Sequence, residues 1–237
     1  MLATSQDCKP SFSERMLRLR ERSEHRCART PSEKEAAYRV RYDAYIRQQL
    51  IAPRDDRMLR DECFDDTPNA WITTTFIDRA LASTFRIHVA ERPGDPLPSA
   101  RVYADVIAPR LESGCVLVDP TRLAARLTFA GSLSELPFLA LRPAWLAAEH
   151  FDADFVLATV TADHQPFYRR VFGYEAWSEP RDYPGFKHKV ACLGLDFRAA
   201  RARVETRFPV FRSTAAEREA LFGRRRVACG EAAPSAA

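Results

Sequence analysis

Five charged residues lie within or beside segments that are otherwise typical of a protein core. Arg41 shares a face with the apolar residues of a predicted helix, and Arg86 lies inside the run 81–90. Asp119 and Arg122 follow the apolar run 116–118, and Asp65 ends a charged loop. Buried charges of opposite sign must pair, so we predict that these five residues form one mixed-charge cluster.

Such a cluster has two interpretations. It is either a structural ion network or a cleft that binds a charged substrate and tunes a base. For Arg41 the competing role is a structural ion pair, and for Asp65 and its neighbour Asp66 it is capping or solvation of the loop.

The elements that must position these residues follow from periodicity and turn signals. A helix capped by Ser32 is predicted over 32–50, followed by a long charged loop and a hairpin of 70–77 and 81–90 joined by Asp78 and Arg79. Residues 114–125 are predicted to form a strand with a polar exit at Asp119. The order continues with a helical region that is interrupted or kinked around two prolines (133–151) and a strand (153–161). It ends with a short helix that stops at Gly173 and a last strand (187–197). The segment 101–113 is ambiguous. This order predicts a mixed α/β (α+β) fold with helices around one central sheet.

The two ends of the chain are rich in arginine. We predict a basic N-terminal arm over 1–31, helical from 13 to 24, a single domain over 32–197, and a helical basic C-terminal extension with a disordered tail over 198–237. Basic surfaces attract acidic partners, although a merely solvated surface has the same composition.

Composition limits the class of protein. The 237 residues, 46% of them hydrophobic, can form one substantial core, and no run of about 18 apolar residues is present to span a membrane. The N-terminus lacks the apolar segment of a secretory signal, so a cytoplasmic location is expected. The six cysteines show no metal-ligand spacing, which predicts free thiols and no metal site.

Several motifs, taken in order, resemble those of a known enzyme family. They are "YRVRYDAYIRQQL", "LRDECFDD", "ASTFRIHVA", "VDPTR" and "FVLATVTADHQPFYRRVFGYEAW", which together extend over 32–195. This pattern is similar to the N-acyl amino acid synthases of the FeeM type, relatives of the LuxI-type acyl-homoserine-lactone synthases within the GNAT acyltransferase superfamily. The resemblance implies a GNAT-like fold, with a central mixed, mostly antiparallel sheet flanked by helices.

The resemblance also implies roles for individual residues. Arg41 and Tyr45 match an arginine and an aromatic residue four apart on an early helix, and Asp65 matches an acid of the following loop. Arg86 matches a strand arginine. Asp119 and Arg122 match an acid and arginine pair, although the acid is usually glutamate, and the early-loop tryptophan of the lactone synthases has no counterpart between Leu50 and Asp61.

The implied reaction is acyl transfer from a thioester to the amine of an amino acid. Asp119 would act as the base, fixed by Arg86 and Arg122, whose charges would lower its pKa, and backbone N–H groups of its strand would hold the oxyanion. Arg41 would bind the carboxylate of the acceptor. Tyr168 would act as an acid or as a hydrogen-bond donor on the thiolate side, with aromatic packing as its alternative role, and His164 is either a proton carrier or a surface residue. Apolar side chains of the 129–146 region would line an acyl tunnel, with core packing as their alternative role. The main candidates are Phe138 and Trp145. The full set is Phe129, Leu133, Leu136, Phe138, Leu139, Leu141, Trp145 and Leu146.

The expected co-substrate is an acyl donor, with no bound cofactor. The glycine-rich loop with which GNAT enzymes usually bind the coenzyme A pyrophosphate is absent after 118–132, which favours acyl carrier protein, an acidic partner, over acyl-coenzyme A. A lipidic product makes peripheral membrane contact plausible. The alternatives are a lactone synthase that uses S-adenosylmethionine, a coenzyme A-dependent GNAT, and a non-catalytic module that binds an acidic partner. Nucleic-acid binding is disfavoured, since no recognition-helix motif is present.

Overall fold

A computed structural model describes residues 10–184 and 186–223. Its strands are β1 (Ser23–Cys27), β2 (Ala70–Ile77), β3 (Ala80–Ala90), β4 (Leu117–Ala125), β5 (Phe155–Val160), β6 (Glu175–Ala176) and β7 (Ala191–Asp196). Its α-helices are α1 (Phe12–Glu21), α2 (Pro31–Arg47), α3 (Ala100–Glu112), α4 (Leu127–Ala130), α5 (Leu136–His150), α6 (Gln165–Phe172), α7 (Phe197–Arg207) and α8 (Ala215–Phe222). A 3₁₀ turn, Pro209–Phe211, lies between α7 and α8.

The strands form one seven-stranded sheet in the order β1-β2-β3-β4-β5-β7-β6. Every strand pair is antiparallel except β4 and β5, which run parallel and pair only at Leu117↔Phe155 and Val118↔Val156. Beyond these pairs the two strands separate, because β4 continues to Ala125 along β3 while β5 follows β7. We call the space between residues 119–125 of β4 and 157–160 of β5 the strand gap.

The cap of helix α2 lies two residues before the one predicted at Ser32. The Thr30 side chain accepts a hydrogen bond from the N–H of Glu33, and the Glu33 carboxylate accepts one from the N–H of Thr30. Pro31 fits the first helical position, where its missing N–H costs nothing. The cap is therefore Thr30, and the prediction of Ser32 is wrong.

The hairpin of β2 and β3 is confirmed. Its two turn residues, Asp78 and Arg79, have φ angles of 49° and 66°, the left-handed pair that a two-residue hairpin turn requires. The polar exit predicted for the next strand is wrong, because β4 continues through Asp119 to Ala125.

The ambiguous segment forms α3, which contains Pro109 and is kinked at Tyr103. The region with the two prolines forms one helix, α5, rather than an interrupted one. Pro137 lies in its first turn, where no hydrogen bond is lost. Part of the predicted N-terminal arm joins the sheet, since Ser23–Cys27 pairs with β2. The domain boundaries at 31/32 and 197/198 remain predictions, and the tail beyond 223 lies outside the described residues.

The two faces of the sheet are covered differently. On one face α5, α7 and α8 enclose a large core built on Ile87, Val118 and Val156. On the other face α3 packs over Leu117 and Leu157, and α2 lies beside it. The predicted fold class, a mixed and mostly antiparallel sheet flanked by helices, is confirmed. Within the described ranges no helix has both the length and the apolar character needed to cross a bilayer.

Candidate active site

The centre of the charged cluster is the Asp65 carboxylate, which is buried between two arginines. Arg41 Nη1 donates to its Oδ1 and Oδ2 at 2.8 and 3.0 Å, and Arg86 Nη1 donates to Oδ1 at 3.1 Å. The backbone N–H of Asp61 completes the set at 2.7 Å. Burial alone would raise the pKa of Asp65, but the two arginines outweigh it and hold the pKa below its usual range.

A second carboxylate, Asp61, was not predicted from the sequence. Its Oδ2 accepts hydrogen bonds from Arg86 Nη1 at 3.0 Å and from Arg122 Nη2 at 3.4 Å. Burial works against its ionisation, but the two arginines lower its pKa. Asp61 lies four residues before Asp65 in a turn closed by the hydrogen bond from Asp65 N–H to the Asp61 carbonyl. In "DECFDD" the two acids are four residues apart, and this spacing is the sequence signal that would have identified Asp61.

Arg122 reaches Asp61 because of a bulge in β4. The register between β3 and β4 shifts between Thr84 and Arg86, and Arg122 lies in this irregularity with a φ of 60°. Bulges re-aim side chains, and the left-handed conformation is costly for any residue except glycine. The Arg122 guanidinium lies over the rings of Tyr45 and Phe186, at 5.8 and 5.4 Å. Tyr45 therefore belongs to the same site as Arg122.

Asp119 lies apart from these ion pairs. Its Oδ2 accepts from the backbone N–H of Ser99 at 2.8 Å and its Oδ1 from the Ser99 hydroxyl at 2.7 Å. The sheet register explains the separation, since Arg86 is opposite Thr121, and its Nε donates to the Thr121 hydroxyl at 3.0 Å. The prediction that Arg86 and Arg122 fix Asp119 is therefore wrong.

The protonation behaviour of Asp119 also differs from the expectation. Its side chain is fully buried, and this burial raises its pKa despite the Ser99 hydrogen bonds and the weaker attraction of Arg86. The predicted lowering of its pKa by arginines is wrong. A raised pKa suits a proton acceptor, since a more basic carboxylate is a better general base near neutral pH.

Arg41 is placed behind the site rather than in it. Its side chain is entirely buried, and both of its bonds to Asp65 use Nη1, while Nε and Nη2 are buried without a hydrogen-bond partner among the described residues. Burial lowers its pKa, with Asp65 opposing the shift. In this arrangement Arg41 holds Asp65 and does not reach solvent.

A cleft of about 800 Å³ opens beside the cluster. Most of its wall is the charged loop after α2, and Tyr38 and Leu59 line it together with Asp61 and Arg122. We call this space the loop cleft. Of the predicted cluster, Arg122 is the residue that contributes to its wall, and its side chain is 13% exposed. Arg54 and Arg60 also line the loop cleft, together with Glu35, Asp56 and Glu62, so it presents charges of both signs to a small charged molecule.

Tyr168 lies on α6 within a group of aromatic rings. Its ring centroid is 5.4 Å from Tyr174 and 5.5 Å from Phe167. Burial raises the pKa of the phenol, and the nearby Tyr45 adds to the effect. Tyr168 is thus a neutral hydrogen-bonding group close to Tyr45. His164, at the start of the same helix, is exposed and hydrogen-bonds Thr161.

Phe138 and Trp145, predicted to line an acyl tunnel, lie in the core behind the opposite face of the sheet. Trp145 packs on Phe197 and Phe211 at centroid distances of 4.8 and 5.2 Å, and Phe138 packs on Phe208 at 5.0 Å. Val118 belongs to this core, and Asp119 follows it on the strand and therefore faces the other way. Phe138 and Trp145 therefore pack against the segment from α7 to the 3₁₀ turn through Phe197, Phe208 and Phe211.

We predict that Trp145→Ala lowers the free energy of unfolding by about 3–5 kcal/mol, the usual cost of deleting a large core side chain. Urea unfolding measures this change. Leu127→Ala is the control, because Leu127 is 62% exposed and should change stability by less than about 0.5 kcal/mol. A stable Trp145→Ala protein with an altered acyl-chain preference would instead make Trp145 a tunnel residue.

Comparison with known proteins identifies the family. The sequence profile of the N-acyl amino acid synthase FeeM family matches residues 36–196. The fold is similar to that of FeeM, an N-acyl amino acid synthase from uncultured soil microbes, with a TM-score of 0.63 and 21% identity over 78% of this chain and 98% of that one.

Two acyl-homoserine-lactone synthases also share the fold. The coenzyme A-dependent BjaI has a TM-score of 0.56 and 14% identity over 78% of this chain and 90% of its own. LasI has a TM-score of 0.54 and 12% identity over 76% of this chain and 94% of its own. No curated protein sequence matches significantly. Because the family profile covers most of the predicted domain, this chain belongs to the FeeM family of N-acyl amino acid synthases and is an N-acyltransferase.

Proposed function

We propose that this N-acyltransferase moves a long-chain fatty acyl group from the thioester of acyl carrier protein to the amine of an amino acid. The observation that carries the proposal is the buried carboxylate of Asp119, with its raised pKa, at the point where β4 and β5 separate. A buried acid beside an open strand edge combines a proton acceptor with backbone donors for a substrate.

The strand gap suits the thioester end of the donor. Beyond Val118, the edge of β4 that faces β5 pairs with no strand among the described residues, because β5 follows β7 there and β3 occupies the other edge of β4. An extended phosphopantetheine arm contains amides that can pair with such an edge, as peptides do when they add to a sheet. Backbone N–H groups of β4 would then stabilise the oxyanion. Tyr168 would donate a hydrogen bond from its phenol hydroxyl to the leaving thiolate.

The loop cleft suits the amino acid acceptor. Arg41 is too deeply buried to bind the acceptor carboxylate, so this role passes to Arg122, whose guanidinium lines the cleft. Asp61 restrains Arg122, and Tyr45 packs beneath it. Arg41, Asp65 and Arg86 hold the wall behind this pair.

The choice of acyl carrier protein rests on charge. Arg47 and Arg126 are exposed where β4 ends, and Arg47 donates to the carbonyl of Ala125 at 3.4 Å. Arg169 and Arg170 are exposed on α6, the helix that carries Tyr168. Acidic carrier proteins would be attracted to this basic rim. The reaction would take place in the cytoplasm, with the product released towards a membrane surface.

Mass spectrometry of the products tests the proposal. The purified protein is incubated with long-chain acyl carrier protein and a pool of amino acids, and parallel reactions contain acyl-coenzyme A or S-adenosylmethionine. An N-acyl amino acid formed from the carrier-bound donor supports the proposal and identifies chain and acceptor. A lactone formed only with S-adenosylmethionine, or a product formed only from acyl-coenzyme A, would replace it with that alternative. No product under any condition would favour a binding module.

We predict that Asp119→Asn lowers kcat by about 100-fold or more while the protein remains folded, because general acid–base catalysis contributes roughly 10²–10⁴-fold. The amide keeps the shape of the acid but loses its charge, its basicity and one of the two oxygens that accept from Ser99. Asp163→Asn, which changes an exposed acid at the start of α6, should keep wild-type kcat. Wild-type activity in a folded Asp119→Asn protein would remove Asp119 as the base.

We predict that Arg122→Ala and Arg122→Gly both raise the KM for the amino acid at least 10-fold, the effect of losing one charged hydrogen bond of about 1.5 kcal/mol or more. The glycine variant should be the more stable by about 0.5–1 kcal/mol, because it accepts a φ of 60° without strain. Urea unfolding and steady-state kinetics measure the two effects, and Arg92→Ala, at an arginine whose side chain is 82% exposed, is the control. Unchanged KM in folded variants would rule out Arg122 as an acceptor-binding residue.

A further inference from the structure

The buried position of Asp119 raises the question of how a proton reaches it. Both carboxylate oxygens are occupied by Ser99, and the side chain of each of these residues is fully buried. A general base must come within about 2.6–3.2 Å of the proton it removes, or act through an intervening group. Asp119 therefore needs a carrier that connects it with the strand gap.

The Ser99 hydroxyl forms such a connection. Its oxygen is 2.7 Å from Asp119 Oδ1 and 2.6 Å from the hydroxyl oxygen of Thr159 on β5. A hydroxyl has one hydrogen to donate and two lone pairs to accept. Ser99 donates its hydrogen to the ionised Asp119, so the contact with Thr159 must be a hydrogen bond in which Thr159 donates. The chain thus has one direction, from Thr159 through Ser99 to Asp119.

Thr159 lies where a substrate would arrive. It is on the part of β5 that has separated from β4, and unlike Asp119 and Ser99 its side chain is partly exposed. The segment that carries Ser99 is held in place from outside the sheet, because the Tyr183 hydroxyl donates to the carbonyl of Pro98 at 2.8 Å. This anchor keeps both hydroxyl contacts short.

We propose that Ser99 and Thr159 form a proton relay that connects the substrate amine with Asp119. The inference rests on the proposed acyl transfer. As the amine nitrogen bonds to the thioester carbon, its proton passes to Thr159, the Thr159 proton passes to Ser99, and the Ser99 proton passes to Asp119. When the carbon–sulfur bond breaks, the same path returns the proton to the departing thiolate. The products are the amide and the free thiol, and Asp119 ends ionised.

The groups around Asp119 do not offer it a competing proton at neutral pH. Burial lowers the pKa of His88 to about 3 and raises that of Cys192 to about 12, and it also raises that of Tyr183. The titratable and charged groups that face Asp119 are Arg86 and His88 on β3, Tyr183 on the loop before β7, and Cys192 on β7.

The test begins with the substrate-free protein, so that it does not depend on the reaction. Aspartate carboxyl carbons are labelled with ¹³C, and the Asp119 signal is assigned by its loss in Asp119→Asn. Ser99→Ala should raise the pKa of Asp119 by about one pH unit or more, because a hydrogen bond to the charged form is lost. Thr159→Val should raise it by a smaller amount. Thr84→Val is the matched control, since it deletes a buried β3 hydroxyl that donates to the Thr73 carbonyl, and should leave the titration unchanged.

The second measurement is the pH profile of kcat for the same proteins. Ser99→Ala and Thr159→Val should lower kcat at least 10-fold, with the KM for the acyl donor within twofold of wild type. The limb of the profile that reports Asp119 should move with its titration. Thr159→Ser, which keeps the hydroxyl, should restore kcat, and Thr84→Val should retain it.

The outcomes separate the relay from the proposed function. If Thr159→Val leaves both the Asp119 titration and kcat unchanged, the relay is wrong, although acyl transfer stands. If kcat falls equally at every pH and Thr159→Ser does not restore it, the hydroxyls are structural and the relay is again wrong. If the wild-type protein forms no product with any donor while the titrations shift as expected, the proposed function fails, and the hydroxyl chain is a structural network.

Discussion

The site depends on one buried interaction, the Asp65 carboxylate held between Arg41 and Arg86. It joins α2, the charged loop and β3, and all three side chains are buried. Removing one member of such a network leaves uncompensated charge in the interior, at a cost of about 3–5 kcal/mol. If the loop between α2 and β2 left the sheet, Asp65 would leave Arg41 and Arg86 without their partner. The ion pairs therefore hold this loop against the sheet. That restraint places Asp61 and Arg122 beside an open cleft.

The sheet separates packing from chemistry. Alternation of side chains along β4 directs Val118 into the core beneath α5 and directs Asp119 to the side of α2 and α3. The core around Trp145 is mainly aromatic and aliphatic, with Trp145 Nε1 donating to Glu205 at 3.1 Å and the buried Arg142 donating to the Val210 carbonyl at 2.7 Å. The opposite face concentrates carboxylates, arginines and hydroxyls. The two faces of the sheet thus provide an apolar environment and a charged one.

Strand β4 connects the loop cleft with the strand gap, the proposed acceptor and donor sides of the site. Its bulge turns Arg122 towards the loop cleft, and its early separation from β5 opens the strand gap next to Asp119. The two features lie three residues apart on one strand, so their relative position is fixed by covalent geometry and by pairing with β3. Substrates that enter from different sides would thus meet at a rigid element. Rigid placement of reacting groups is itself a large part of catalysis by proximity.

The sequence by itself determined the hairpin, most of the element order and most members of the charged cluster, but strand β1 was not predicted and the segment that forms α3 was ambiguous. Periodicity and turn residues are local properties, and a charge within an apolar run is visible without a structure. The family resemblance added the acyltransferase fold. It did not reveal that the predicted cluster divides in two, that Asp61 rather than Asp119 pairs with Arg122, or that Ser99 holds Asp119. Those partners depend on strand register, a bulge and a helix inserted between β3 and β4, which bring residues distant in sequence together. Only the tertiary structure decides such contacts, because the local sequence does not specify which residues of neighbouring strands and helices come to lie side by side.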